Sequence, residues 1–124
     1  MQLAAIAEKS IKEVTYHLRW SSEWVIRLGD GTEESHRRIK DALTDMWVFT
    51  GEMFLPADYE LIDVASLKND WIKRIETVFT EAALEIPKQT WMQGGGKDGK
   101  HTEHMGYLLA EMQYLQRAYP NATW

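Results

Sequence analysis

The apolar residues of this chain return every three or four positions and almost nowhere every second one. Over residues 2–28, Leu3, Ala7, Ile11, Val14, Leu18, Val25 and Leu28 form one stripe at that spacing, which predicts a long amphipathic helix with a single buried face. Gly29-Asp30-Gly31 ends it with residues that tolerate left-handed backbone conformations. No Ser, Thr, Asp or Asn stands among Met1, Gln2 and Leu3 to cap its start, so the helix is expected to be entered partway along. A second periodic stretch, residues 33–54, places Ile39, Leu43, Met46, Trp47, Thr50 and Met53 on a common face before Pro56. A third, capped by Asp63 or Ser66, carries Leu67, Trp71, Ile75, Val78 and Ala82 and is stopped by Pro87. Residues 88–100 hold Gly94, Gly95, Gly96 and Gly99 and read as a loop. The last helix begins at His101 or Thr102, turns Met105, Leu108, Leu109, Met112 and Leu115 inward, and closes at Pro120. Four helices with short connections and no useful strand alternation predict one all-α domain of bundle type over residues 1–124.

The 124 residues are 44% hydrophobic, enough for one core. Six Trp, five Tyr, three Phe and six Met are large side chains that need partners to cover them. A net charge of −5 removes the electrostatic drive for general binding to nucleic acid or anionic lipid. The absence of cysteine excludes disulfides, thiolate metal sites and a Cys nucleophile. Apolar runs are short, and Glu8 and Lys9 stand where a signal peptide would need an apolar core, so a cytoplasmic location is expected.

Several constellations suggest chemistry. Gly94-Gly95-Gly96-Lys97-Asp98-Gly99-Lys100-His101 nearly matches a phosphate-binding loop, but His101 occupies the place of the magnesium-binding Ser or Thr, and no buried strand precedes it. Free loop amides with Lys97 and Lys100 still favour an anion nearby, but a solvated loop or a contact with another subunit is the stronger expectation. His101, Glu103 and His104 cluster at the start of the last helix with Glu111 on the same face, a donor set compatible with zinc or iron but better read as Glu103 facing the helix dipole and histidines hydrogen-bonded to backbone, since spacing alone does not meet the geometry of a metal site. Glu13 and His17 are four apart and adjacent on one helix surface. Carboxylate-bridged di-iron sites use Glu-x-x-His on two helices and a Glu on each of two others; here Tyr16 follows Glu13 by three, and Val14 precedes His17 by three. Either register lacks a ligand, so the pair reads as a buried or half-buried remnant inside a bundle. Trp20, Trp24, Trp47 and Trp71 read as core or subunit-contact anchors, and Glu33-Glu34 and His36-Arg37-Arg38 as solvated helix ends.

Residues 95–120, with Lys97-Asp98-Gly99-Lys100-His101-Thr102-Glu103-His104-Met105-Gly106-Tyr107 at their centre, resemble the terminal segment of the structural, non-catalytic C subunits of bacterial phenylacetyl-CoA epoxidases. Residues 4–32, including Ile11-Lys12-Glu13, Tyr16-His17-Leu18-Arg19 and Leu28-Gly29-Asp30-Gly31-Thr32, are similar to that family's fourth bundle helix and the turn after it. Between residues 35 and 85 the likeness is looser but keeps Trp47-Val48-Phe49-Thr50-Gly51-Glu52. The resemblance implies a ferritin-like bundle and a non-catalytic structural subunit of a ring 1,2-phenylacetyl-CoA monooxygenase. It implies the catalytic di-iron subunit of that complex as partner and NADPH delivered through a separate reductase. No cofactor, metal ligand or catalytic residue is expected on this chain itself. The family's structural subunit is about twice as long, so the chain is expected to be the C-terminal half, with the remaining bundle helices supplied by an upstream or partner segment. Two competing expectations are a metal-dependent ferritin-like oxidase using Glu13, His17 and His101 or His104, and a truncated fragment with no function alone.

Overall fold

A computed structural model describes residues 2–88 and 91–123; Met1, and with it the capping of the first helix, lies outside them. All regular structure among the described residues is helical, as the helical period of the apolar residues requires. Helix α1, Gln2–Gly29, is about 42 Å long at 1.5 Å per residue. Helix α2, Glu33–Trp47, begins at the N-cap Thr32, whose hydroxyl accepts from Ser35 N while Glu33 and Glu34 fill the first turn, where carboxylates favour the helix dipole. Helix α3, Lys68–Glu81, is entered through the 3₁₀ turn Val64–Leu67, which Asp63 caps by accepting from Ala65 N and Ser66 N. Helices α4, His104–Met112, and α5, Tyr114–Ala118, follow a loop containing the 3₁₀ turn Gly96–Asp98.

Three boundaries depart from the periodicity. The second helix stops at Trp47 rather than running to residue 54: Thr50 Oγ1 donates to Trp47 O at 2.8 Å, and Gly51–Phe54 forms a separate 3₁₀ turn. The β-branched Val48 and Thr50 and the flexible Gly51 make this the weakest place for a helix to continue. The third helix ends at Ala82, short of Pro87, because Leu84 N donates to Phe79 O (2.9 Å) and Ala83 N to Thr80 O (3.3 Å), the paired bonds of a Schellman cap. The last helix is two pieces interrupted at Gln113.

The core lies where α1 ends against α2 and α3. Trp47, Val78, Phe79, Ala82 and Leu84 are buried, with Val25, Ile26, Ile39, Leu43, Trp71, Ile72, Ile75 and Ile86 around them. Trp47 sits 5.6 Å from Trp71 and 6.1 Å from Phe79, centroid to centroid. Gly29 ends α1 for a reason other than the one its sequence suggests. Left-handed φ values among the described glycines occur at Gly95 and Gly99 and not at Gly29 or Gly31; a Cβ on Gly29 would instead lie 2.2 Å from Ala82 O. The glycine permits the close crossing of α1 and α3.

The stripe of α1 is covered only at its C-terminal end. Leu3, Ile11, Val14 and Leu18 are exposed, so the expectation of a buried face along the whole helix is corrected: in this chain α2 and α3 reach only its last two turns. The inward packing expected of the last helix is corrected too. Leu108, Leu109, Met112 and Leu115 are exposed and Met105 alone is half-buried, since α4 and α5 contact chiefly each other. No described helix is long and apolar enough to cross a membrane.

Candidate functional site

The glycine-rich loop folds back on the chain's own surface. Lys97 Nζ donates to Leu55 O (2.6 Å), Met53 O (3.4 Å) and Glu60 Oε1 (2.6 Å), and the Lys97 and Glu60 side chains are only 22% and 19% exposed. Tyr59 Oη donates to Lys97 O at 3.2 Å, and Gly96 N donates to Glu52 Oε2 at 2.9 Å. Asp98 N and Lys100 N both donate to Gly95 O, and Gly99 N to Gly96 O. The left-handed Gly95 (φ 92°) and Gly99 (φ 83°) make these reversals possible. The expectation of an anion is corrected for Lys97 and the loop amides, which the chain's own carboxylates and carbonyls hold; the Lys100 side chain lines the cleft beside the loop. Lys97 also holds the Glu60 carboxyl below its ordinary value, by the direct hydrogen bond.

Between this loop and α4 lies a cleft of about 380 Å³, lined by Phe49, Glu52, Lys100, His101, His104 and Leu108 among others. It brings together the two histidines singled out by the sequence, but Glu103 and Glu111 do not join them, and no group of three or more His, Asp or Glu able to hold a metal converges among the described residues. Glu52, on the same cleft, already accepts from Gly96 N. Glu52, Glu60 and the inward turn of Lys97 are what the sequence reading missed. Their partners lie 37 to 44 positions away, and no local spacing could have signalled them.

Glu13 and His17 do meet, with Oε1 and Nε2 3.1 Å apart. The pair is exposed at 73% and 64%, not buried as expected, because among the described residues no other element packs on that stretch of α1. Each is satisfied by the other, and among the described residues no third donor joins them; the pair as it stands is not the donor set of a dinuclear iron centre. Trp47 and Trp71 are core residues, whereas Trp20 and Trp24 stack edge to face on the surface at 6.3 Å. Glu34 bridges Arg38 (2.7 Å) and Arg37 (2.9 Å), and these two, Arg38 first, lower its carboxyl pKa. His36 is not simply solvated: half-buried, it places Nδ1 2.7 Å from Gly29 O. A carbonyl only accepts, so Nδ1 carries the proton and closes the end of α1.

The arrangement offers a latched loop, a cleft beside it and two uncovered helical faces. The family model described as "Phenylacetic acid catabolic protein" matches residues 1–124. The C subunit of the 1,2-phenylacetyl-CoA epoxidase of Escherichia coli (strain K12) is 41% identical over 131 aligned residues, covering 99% of this chain and 53% of that protein. The chain thus spans about half the length of the curated relative it matches.

Proposed function

The chain belongs to the phenylacetic acid catabolic protein family, and on that premise we propose that it serves as a non-catalytic, structural subunit of a cytoplasmic phenylacetyl-CoA epoxidase complex in aerobic phenylacetate breakdown. Its partner in this reading is a di-iron catalytic subunit, with electrons reaching that protein from NADPH through a reductase. The observation that carries the reading is the 41% identity to the C subunit of an epoxidase, sustained over 99% of the chain. The spacing of Glu13 and His17, four apart where the dinuclear pattern needs three, supports placing the oxygen chemistry on a partner protein.

The test is co-expression of the 124-residue chain with an epoxidase catalytic subunit, followed by affinity capture and size exclusion. A stable complex, with iron tracking the partner and not the isolated chain, is the expected result. Failure to form any complex with an intact partner would sink the reading. Stoichiometric iron and oxidase turnover by the isolated chain would replace it with an enzyme.

A further inference from the structure

Residues 51–60 form a seat for the glycine-rich loop, built by local contacts. The 3₁₀ turn Gly51–Phe54 leaves Met53 O and Leu55 O at its end, and Pro56 has no amide hydrogen to continue it. Beyond Pro56 the chain doubles back: Glu60 N donates to Ala57 O at 3.0 Å, and Ala57 N donates to Glu60 Oε2 at 2.9 Å. Glu60 Oε1 is left to converge with the two carbonyls on one point. An ammonium carries three donors, and those of Lys97 find Leu55 O, Glu60 Oε1 and, at 3.4 Å, Met53 O. Glu52 Oε2 on Gly96 N and Tyr59 Oη on Lys97 O lie alongside.

The seat is passed on to α4 with little slack. Lys100 N closes the loop on Gly95 O at 2.9 Å, and Thr102 O and Glu103 O accept from Met105 N and Gly106 N. Between the closed loop and the first bonds of the helix only His101 intervenes. Among the described residues, the hydrogen bonds of residues 101–123 all stay within that stretch, and Met105 alone is half-buried there.

We propose that Lys97 is a conformational latch whose seating in residues 51–60 fixes the direction of α4 and, with it, the width of the cleft. Phe49 and Glu52 line one side of that cleft, and His104, Met105 and Leu108 of α4 the other, so a swing of α4 changes both. The latch consists of contacts made within this chain and is independent of the proposed structural role. Without the ammonium, the Glu60 side chain, 19% exposed, loses its counter-charge and two carbonyls lose their donor, and lifting the loop into water relieves both. The left-handed Gly95 and Gly99 bracket Lys97 and turn readily once it is released. A plain ion pair would survive an exchange of its charges. This latch would not, because a carboxylate at position 97 would face Met53 O and Leu55 O, which only accept.

The experiment is a distance measurement by pulsed electron paramagnetic resonance on the 124-residue chain. Because the chain has no cysteine, Glu76→Cys on α3 and Tyr107→Cys near the start of α4, both exposed, carry the two spin labels. With Lys97 in place one narrow distribution is expected. Lys97→Met should widen it about twofold or more as α4 is released, with the near-ultraviolet signal of Trp47 and Trp71 intact. The double exchange Lys97→Glu with Glu60→Lys should stay as wide as Lys97→Met. Should Lys97→Met lose the near-ultraviolet signal, the isosteric Glu60→Gln decides: widening supports the latch, and native width overturns it. A distribution already broad in the native chain, one that stays narrow in Lys97→Met, or one restored by the charge exchange overturns the proposal.

Discussion

Ala83 holds φ at 55°, in the C′ position of α3 where the helix closes with Leu84 N on Phe79 O. A Cβ in that conformation costs roughly 1–2 kcal/mol. Glycine avoids that cost but gives back about 0.5–1 kcal/mol through the greater freedom of its unfolded chain. Ala83 is exposed, so no packing is lost by trimming it. Ala83→Gly should therefore raise stability by up to about 1 kcal/mol, seen as a higher urea midpoint at unchanged slope. The opposite exchange one turn of the fold away has the opposite sign. A Cβ on Gly29 would meet Ala82 O at 2.2 Å and Ala82 Cβ at 2.7 Å. A backbone carbonyl cannot rotate aside as a side chain does, so α1 and α3 must part. Gly29→Ala should lose about 1–3 kcal/mol or more, measured in the same titration. If both substitutions moved the midpoint by the same small amount, the two cap geometries described above would be wrong.

At the scale of elements, the loop carrying Gly95 and Gly99 is held by the Lys97–Glu60 ion pair among carbonyls, with Glu52 and Tyr59 adding a hydrogen bond each. The Glu60 carboxyl is held below its ordinary 4.5, chiefly by Lys97. A carboxylate whose folded pKa is depressed contributes stability that is fully present above the unfolded value and is lost as pH falls through the folded one. The latch should hold at neutral pH and release only in acid, below 4.5. Hydrogen exchange at Gly96 and Lys100 is the readout: protection should fall in acid for the native chain, while Glu60→Gln should show reduced protection already at pH 7 and little further change. An acid-insensitive loop in the native chain would contradict the assignment. This loop also marks how far sequence reading reaches. α1, α2, α3 and the cap at Asp63 are local facts, set by residues three or four apart, and their positions were legible. The end of α2 at Trp47 depends on Thr50 and Gly51 competing with a continuing apolar period, and there the period misled. Lys97 looked like a phosphate ligand because its neighbours are glycines; its real partners, Met53, Leu55 and Glu60, are adjacent only after folding. The resemblance read at both ends of the chain located the family, and no local spacing located the cleft.

For the molecule as a whole, burial is concentrated in one small region. Ala82 is fully buried and Trp47, Val78, Phe79 and Leu84 nearly so, all at the junction of three helices, while α1 before Ser22 and both α4 and α5 are exposed apart from Ser10 and Met105. Helices without tertiary cover are marginal in water, so stability must be graded along the chain, with local openings far cheaper than global unfolding. Native-state hydrogen exchange should rank the amides accordingly. Those near residue 82, where Ala82 N donates to Val78 O at 3.0 Å, should exchange only through global unfolding. Those of α4 and α5 should exchange through local fraying at any protein concentration. Residues 4–21, exposed apart from Ser10, supply the decisive contrast. Their amides should exchange through local opening of α1, faster than those near residue 82 and with a smaller dependence on urea. Exchange there as slow as near residue 82 would mean that α1 opens only with the core and that stability is not graded along the chain.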